Sequence, residues 1–339
     1  MNFNLTTSVP RVAFLFVVFW IGPSSLTCTA QVKNQNKPTT SQPKLIEFNF
    51  VQMHMAMPIR ITVWCEDDKF AKKVCRAAFA KIGELELVFS DYQKDSELNR
   101  LLSMIRKDKI GHSLDSKPID VSSAMMEVLS FCDRLYKLSE RRFDPTAKPV
   151  VDLWRIARKN KRLPSNAAIA EATMGIGFHQ IKLNPEKQQI TISNPNLQLD
   201  FGAVAKGYIC DQVIQFLKKS GITICRIEAG GDVVLGSSPP GAEGWEIETP
   251  FGVERLQNCA ISVSADTAQR LELNGETYSH VVDPRSGQAL RNRIVTVVVA
   301  PTGMQSDALA TCGSLMQEHE FAFLLRNYDD VRFRRKTQK

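Results

Sequence analysis

The sequence lacks the short motifs that identify the commonest nucleotide-binding and metal-dependent enzymes. It has no G-x-x-x-x-G-K-[ST] phosphate loop and no H-E-x-x-H zinc motif, and Gly175-Ile176-Gly177 has no third glycine to complete a dinucleotide fingerprint. The N-terminal apolar run has ten residues, whereas a membrane-spanning helix needs roughly 20. These absences disfavour a P-loop NTPase, a dinucleotide-binding enzyme, a zincin protease and a polytopic membrane protein.

Cysteines are irregularly spaced, and their number is odd once the predicted export signal is removed. No two of them have C-x-x-C spacing, which argues against a zinc site, and the odd number argues against a complete disulfide framework. Most lie in apolar, periodic segments, so we expect small buried hydrophobic side chains. The seven are Cys65, Cys75, Cys132, Cys210, Cys225, Cys259 and Cys312.

The basic residues are unevenly distributed and do not indicate nucleic-acid binding. The formal net charge is +7, but the last nine residues carry five cations and no acid, and Arg11 is the only charge in residues 1–30. Without these six cations the remaining chain has a net charge of about +1. A nucleic-acid-binding domain concentrates its positive charge on a folded face. We therefore expect a solvated basic tail over 329–339 and no nucleic-acid partner.

The first thirty residues are organised like a secretory signal peptide. Arg11 precedes an apolar run over 12–21, and a Gly-Pro break leads to small residues that end at Ala30. Such a signal would direct export to the periplasm, with cleavage after Ala30. Lipidation at Cys28, which would anchor the protein to a membrane, is the alternative, although the residues before that cysteine suit it poorly.

The pattern along the chain predicts one α+β domain with antiparallel sheets and packed helices. Residues 31–44 form a polar linker without aromatic side chains, and the folded body should extend over 45–328. Strands in the second half follow one another through tight turns, and helices are grouped rather than alternating with strands. This order is not that of a doubly wound parallel sheet.

Apolar periodicity places the individual elements. It predicts a strand over 59–64 and a hairpin from 181–183 and 190–192. It predicts helices from Asp67 or Asp68 onward, over 123–139, over 207–219, and from Ser306 or Asp307 onward. Short strands are predicted near 223–228, 232–236, 245–249, 259–264, 278–282 and 293–300. The predicted inward stripe of the first helix is Phe70, Val74, Ala77, Ala78, Ile82 and Leu85.

Residues 199–211, LDFGAVAKGYICD, carry the clearest chemical signal. Lys206 lies at the start of a predicted helix, where the helix dipole disfavours a cation and attracts anions. A lysine there is explained if it and the exposed backbone N–H groups share an anionic ligand. Gly202 and Gly207 would permit close backbone approach. A solvent-facing lysine beside a turn is the alternative.

Two further motifs are associated with predicted strands. Gly230-Gly231 joins two of them, either as a hairpin turn or as backbone that a ligand approaches closely. His280 lies on a predicted strand that leads into the Asp283-Pro284 turn, and an imidazole accepts protons near neutral pH. A half-buried structural histidine is the alternative.

Asp307 and Thr311 are four residues apart and share one face of the last predicted helix. Their carboxylate and hydroxyl are hard oxygen donors suited to magnesium. From these residues alone, a helix N-cap at Asp307 and a core contact at Thr311 are the simpler explanation.

Together, the ordered motifs resemble the FAD:protein FMN transferases of the ApbE type. LDFGAVAKGYICD is followed by EAGGDVVLG at 228–236, YSHVVDPRSG at 278–287 and SDALATCG at 306–313. Earlier segments that fit are HMAMPIRI at 54–61, ELELVFSDYQKDSELNRL at 84–101 and FDPTAKPVVDLW at 143–154. The resemblance extends from about 48 to 326, which is nearly the whole predicted body.

The resemblance implies a T-fold-like architecture and an exported enzyme that transfers FMN from FAD to a Ser or Thr hydroxyl of a target flavoprotein, releasing AMP. It implies a magnesium ion held by the side chains of Asp307 and Thr311 and the carbonyl of Ala203. It implies His280 as the base and Lys206 as a catalytic cation beside the diphosphate. FAD contacts are implied at Met55, Tyr92, Asp144, Asp200, Lys206 and Val281.

The sequence departs from the family pattern in two places. The usual Gly-Thr after the first methionine is Ala56-Met57, and the usual Ser-Gly-acid turn is Ser264-Ala265-Asp266. A Cβ at a glycine position can crowd the ligand if the backbone there needs a positive φ.

Two other functions fit the same motifs. A FAD pyrophosphatase would hydrolyse FAD to FMN and AMP, and an exported flavin-binding protein would hold FAD without turnover. The expected partners are FAD and a target flavoprotein that carries the acceptor Ser or Thr, with a membrane-associated target as one option.

Overall fold

The computed structural model of the chain describes residues 27–30, 44–108, 117–265, 270–291 and 293–337. The predicted signal peptide and linker lie mostly outside these ranges, and so does Asp266. Within them, helices pack on antiparallel sheets, which confirms the predicted α+β class. No helix in the described ranges combines the length and apolarity needed to span a bilayer.

The elements are distributed along the whole described chain. The strands are β1 (Thr27–Ala30), β2 (Ile46–His54), β3 (Met57–Cys65), β4 (Ile119–Asp120), β5 (Ile181–Asn184), β6 (Gln189–Ile192), β7 (Cys225–Ala229), β8 (Asp232–Leu235), β9 (Trp245–Thr249), β10 (Gly252–Leu256), β11 (Ala260–Ser264), β12 (Leu271–Leu273), β13 (Glu276–Tyr278), β14 (Ile294–Ala300) and β15 (Arg332–Thr337). The helices are α1 (Asp68–Phe89), α2 (Glu97–Asp108), α3 (Ser123–Leu138), α4 (Lys148–Asn160), α5 (Asn166–Met174), α6 (Ala205–Lys219), α7 (Gly303–Leu315) and α8 (Glu318–Leu325).

The main sheet has the strand order β1-β2-β3-β7-β8-β11-β14-β15. Its main core lies against α1, α3, α6 and α7, and the β9–β10 hairpin covers a second apolar cluster. This double cover explains why every residue of β14 is buried. Smaller sheets are formed by β4-β6-β5, by β9-β10 and by β12-β13, and the predicted hairpin over 181–192 is confirmed as β5–β6.

The C-terminal segment is part of the sheet, and the prediction of a solvated basic tail over 329–339 is wrong for Arg332–Thr337. These residues form edge strand β15, which pairs with β14. The Phe333 ring packs edge-to-face on Phe321, with centroids 5.0 Å apart. The Glu254 carboxylate forms ion pairs with the guanidinium groups of Arg332 and Arg334, at N–O distances of 3.6 Å and 3.3 Å. Packing of Phe333 and the ion pairs with Glu254 therefore stabilise this strongly basic strand. At the opposite edge, the predicted cleavage point after Ala30 is the end of β1.

Helix α1 begins where predicted, and four of the six residues of its predicted inward stripe, Val74, Ala78, Ile82 and Leu85, are buried. Asp67 caps it by accepting a hydrogen bond from Phe70 N at 2.7 Å. Phe70 is 39% exposed and Ala77 is also exposed, whereas Cys75 and Phe79 are buried. The buried stripe is therefore wider than predicted on the side of Cys75 and Phe79 and excludes Phe70 and Ala77.

Helices α6 and α7 are in backbone-to-backbone contact at Gly207 and Gly303. A Cβ placed on Gly207 would overlap the carbonyl group of Gly303, and one placed on Gly303 would lie 2.6 Å from Gly207 O. Helix α7 begins at Gly303 with Thr302 as N-cap, earlier than the predicted start at Ser306 or Asp307. The two glycines therefore allow the helices to touch backbone to backbone.

We predict that Gly207→Ala destabilises the protein although alanine normally favours a helix interior. The added methyl group would force α6 and α7 apart, at a cost of about 1–3 kcal/mol or more. Gly83→Ala in α1 is the matched control, because its Cβ would make only an ordinary 3.8 Å contact with His54 Cε1. Urea denaturation should show a lower midpoint for Gly207→Ala and an unchanged or higher one for Gly83→Ala. Equal midpoints would contradict the close approach.

Candidate functional site

All ten predicted site residues line one cavity of about 810 Å³. Its walls come from the β2–β3 turn, the end of α1, the loop before α4, the start of α6, the β7–β8 turn, the loop after β13 and α7. The ten residues are Met55, Tyr92, Asp144, Asp200, Ala203, Lys206, His280, Val281, Asp307 and Thr311. The fold thus brings together residues that are up to 256 positions apart in the sequence.

Lys206 lies between two buried carboxylates. Its Nζ is 3.1 Å from Asp307 Oδ2 and 3.3 Å from Asp232 Oδ2, and it donates a hydrogen bond to Gly202 O at 2.7 Å. Lys206 is the second residue of α6, Asp232 begins β8 and Asp307 belongs to the second turn of α7. The α6–α7 contact and the β7–β8 turn therefore converge on this ammonium group. Asp232 was not predicted as a site residue; its position after Gly230-Gly231 was the available signal.

The charges of this cluster are strongly coupled. Burial alone would lower the pKa of Lys206, but the charges of Asp232 and Asp307 raise that pKa above its ordinary value. Burial and the charge of Asp232 raise the pKa of Asp307, and Lys206 opposes the change. Lys206 is therefore a permanent cation at neutral pH, and the two carboxylates compete for it.

Asp307 occupies the place where the sequence predicted an anionic ligand. Val204, the N-cap of α6, makes no side-chain capping bond, and Asp307 Oδ2 accepts the Gly207 N–H at 3.3 Å. The anion that stabilises the start of α6 is thus the protein's own carboxylate. The predicted reason for the glycines also changes. Gly207 makes room for α7, and a Cβ on Gly202 would lie 2.9 Å from Asp200 Oδ1.

The residues present fit a hard divalent cation. No group of three or more His, Cys, Asp or Glu side chains suited to a metal occurs within the described ranges, but the predicted set uses only one carboxylate, with a hydroxyl and a carbonyl. Asp232 and Asp307 set two carboxylates against one ammonium group, so the cluster is net negative when ionised. Thr311 Oγ1 donates to the backbone carbonyl of Asp307 at 3.4 Å and lines the same cavity. Hard oxygen donors with excess negative charge are what magnesium prefers.

An ion-pair network lines one wall of the cavity. Arg155 contacts Asp200 at 3.0 Å and Asp152 at 2.9 Å, and Lys148 contacts Asp91 at 2.7 Å. Asp200 also accepts the Gly202 N–H at 2.7 Å. Arg155, Lys148 and Asp91 were not predicted as site residues; the charge spacing within α4 was the available signal for the first two.

Tyr92 and Asp144 occupy opposite environments. The Tyr92 ring is 81% exposed at the cavity mouth, so one of its faces is open to a planar ligand. Asp144 is buried, which raises its pKa, and its carboxylate accepts hydrogen bonds from Thr146 N, Thr146 Oγ1 and Phe178 N. Asp144 therefore fixes the short 3₁₀ turn Pro145–Ala147, and its direct contact with FAD stays a prediction.

His280 lies in a bend rather than on the predicted strand. Strand β13 ends at Tyr278, and the chain turns where Ser279 Oγ accepts a hydrogen bond from Val281 N at 2.9 Å. Val282 then makes an isolated antiparallel bridge to Ala289. The serine competes for the backbone N–H that a continuous strand would use, which explains the break. His280 nevertheless lines the cavity, as its proposed role requires.

The two departures from the family pattern have different consequences. Ala56 has a φ of 59° and adjacent Met55 a φ of 49°, which cost about 1–2 kcal/mol each for residues with a Cβ. Ala265 does not have a positive φ, so its methyl group adds no backbone strain. Of the two departures, only the one in the β2–β3 turn places a Cβ on a residue with a positive φ.

Comparison with known proteins gives a consistent result. The model of the ApbE family matches residues 55–333. The FAD:protein FMN transferase of Vibrio cholerae is 30% identical over 68% of this chain and 69% of its own length, and that of Haemophilus influenzae is 28% identical over the same shares. The apo crystal structure of the Pseudomonas stutzeri flavinyl transferase ApbE, 23% identical, superimposes with a TM-score of 0.73 and covers 87% of this chain and 92% of that one.

We predict that Lys206→Met destabilises the protein strongly in the presence of a chelator. Removing the ammonium group leaves Asp232 and Asp307 buried and unpaired, which typically costs about 3–5 kcal/mol. Lys137→Met is the control, because the Lys137–Asp133 pair of 2.6 Å is solvent-exposed and should contribute about 1 kcal/mol or less. Unfolding free energies from urea titrations test this, and similar small losses in both variants would contradict the cluster.

Proposed function

The chain belongs to the ApbE family, and we propose that it is a magnesium-dependent transferase that moves FMN from FAD to a Ser or Thr hydroxyl of a target flavoprotein. The observation that carries the proposal is the single cavity that gathers all ten predicted site residues around Lys206 and Asp307. A volume of about 810 Å³ suits a ligand of the size of FAD. The curated relatives named as FAD:protein FMN transferases support the same activity.

The charges of the cavity suggest how FAD binds. Lys206 is the cation closest to the α6–α7 contact, and we place the diphosphate beside it. The exposed Tyr92 ring and the half-buried Met55 offer apolar surface for the flavin. Arg155 and Lys148 add two further cations to the cavity wall.

The reaction is a phosphoryl transfer in which positioning and charge neutralisation dominate. The acceptor oxygen forms a bond to the FMN phosphorus, the bond from that phosphorus to the bridging oxygen breaks, and AMP leaves with that oxygen. His280 takes the proton of the attacking hydroxyl. Lys206 stabilises charge on the diphosphate. Asp307, Thr311 and the carbonyl of Ala203 would hold magnesium, which when bound neutralises phosphoryl charge.

We also propose that the protein works outside the cytoplasm. Arg11, the apolar run over 12–21 and the small residues ending at Ala30 support export to the periplasm, with lipidation at Cys28 as the alternative. The acceptor is then a flavoprotein exposed on the same side of the membrane.

Product analysis tests the activity and its metal dependence together. Incubation with FAD, magnesium and an acceptor flavoprotein should release AMP and leave FMN covalently attached to the acceptor. Asp307→Ala should abolish this reaction, because it removes the only carboxylate of the proposed metal set, and Thr311→Ala should weaken it. Chromatography of AMP and in-gel flavin fluorescence are the measurements.

The other outcomes would indicate a different function. AMP release with water alone indicates a FAD pyrophosphatase, and tight FAD binding without AMP indicates a flavin carrier. Full activity of Asp307→Ala without added metal would contradict the proposed metal site.

We predict that His280→Ala slows FMN transfer by roughly 10²–10⁴, the usual contribution of a general base. FAD binding should be retained, because the proton is accepted only in the transition state. His280→Asn keeps much of the shape without the basicity and should be nearly as slow. Single-turnover transfer and flavin fluorescence titration measure the two effects separately. Unchanged rates in both variants would remove His280 from the mechanism, and lost FAD binding would make it a ligand-positioning residue.

A further inference from the structure

The β2–β3 hairpin turns through Met55 and Ala56 with both residues in the left-handed region. His54 pairs with Met57, so the loop has two residues, and their φ values are 49° and 59°. Such loops favour Asn-Gly, because glycine adopts a positive φ without a steric penalty. Neither residue of this 55–56 turn is asparagine or glycine, so contacts outside the hairpin are needed to stabilise it.

Glu86 of α1 supplies those contacts. Its Oε1 accepts a hydrogen bond from Met55 N at 3.0 Å, and its Oε2 lies 3.2 Å from His54 Nδ1. The His54 ring stacks nearly parallel on Phe79, with centroids 6.0 Å apart. The carboxylate of Glu86 thus contacts both His54, the last residue of β2, and Met55, the first residue of the turn. Glu86 and Phe79 both belong to α1, so this helix supports the turn.

The 55–56 turn is part of the cavity wall. Met55, Ala56, Met57 and Glu86 all line the cavity. Met57 Sδ lies 3.4 Å from the position of a Cβ on Gly230, so this turn abuts the β7–β8 turn that carries Asp232. A change in the backbone of the 55–56 turn would therefore move Met55 relative to the bound ligand.

We propose that Glu86 is a positioning residue that keeps the 55–56 turn in its left-handed conformation and so presents Met55 to the flavin. The identity of the ligand rests on the proposed function, whereas the contact between Glu86 and the turn does not. Without Glu86 the turn populates other backbone conformations, and the apparent FAD affinity falls in proportion to the fraction that remains competent.

Amide hydrogen exchange of the protein without FAD tests the contact directly. Glu86→Met and Glu86→Gln have similar size, but only glutamine retains an oxygen that can accept the Met55 N–H. The Met55 amide should exchange roughly tenfold faster or more in Glu86→Met, because methionine has no oxygen to accept its hydrogen bond. Glu86→Gln should stay close to the wild-type protein. Equal exchange in all three proteins would overturn the proposal.

FAD binding and transfer kinetics test the consequence. Glu86→Met should raise the Kd and KM for FAD roughly tenfold and change kcat little, as expected when ground-state and transition-state binding weaken equally. Adding Ala56→Gly to Glu86→Met should recover part of the affinity, because glycine adopts the turn without strain. Glu84→Met is the matched control, since Glu84 lies on the same helix with its side chain 70% exposed.

The outcomes separate this proposal from the proposed function. A merely structural role would lower the unfolding temperature and kcat together, with no recovery from Ala56→Gly, and would overturn the proposal. If Glu86→Met does not fold, Glu86→Ala is measured in its place. A wild-type protein that does not bind FAD would contradict the proposed function, while exchange of the Met55 amide would still decide the role of Glu86.

Discussion

The backbone contact between α6 and α7 is the constraint on which the candidate site depends. Gly207 and Gly303 let the two helices approach until the side chain of Asp307 reaches the first turn of α6. There it accepts the Gly207 N–H and pairs with Lys206. Side chains at either glycine would separate the carboxylate from the lysine. Helix packing and the chemistry of the site are therefore one feature of the fold.

The same contact concentrates charge in a buried place. Asp232 arrives from the β7–β8 turn and shares Lys206 with Asp307, so two carboxylates face one ammonium group. Burying such a cluster does not favour folding by itself, because desolvation offsets much of the attraction. Its arrangement suits a site that exchanges internal ion pairs for contacts to a diphosphate and a divalent cation. The larger apolar clusters of the sheet and helices provide the stability that the charged cluster does not.

Much of this architecture follows from patterns in the sequence, and the exceptions have physical causes. Strict alternation or amphipathic spacing identified β3, α1, α3, the β5–β6 hairpin and α6 near their observed positions. The start of α7 was placed too late, because Thr302, not Asp307, provides the cap. Strand β15 was not predicted because Phe333 is its only apolar side chain, and one apolar residue among cations gives no alternating pattern.

The site residues also include some that the sequence predicted and some that it did not. Ten site residues within the ordered motifs were predicted, and all ten line the cavity. Asp232 and Glu86 lie within the same motifs and Arg155 directly follows one, but their roles depend on partners 26 to 45 positions away, which the motif pattern alone does not reveal. The role of Gly207 was predicted as room for a ligand, whereas its partner is another helix.

We propose that this cavity binds FAD with its diphosphate at Lys206. A crystal structure of the full protein with FAD and magnesium tests it most directly. We expect the diphosphate within hydrogen-bonding distance of Lys206, the isoalloxazine ring against Met55 and Tyr92, and the His280 imidazole facing the phosphorus of the FMN half. FAD bound outside the cavity, or with its flavin ring against Lys206 and Asp307, would contradict the account.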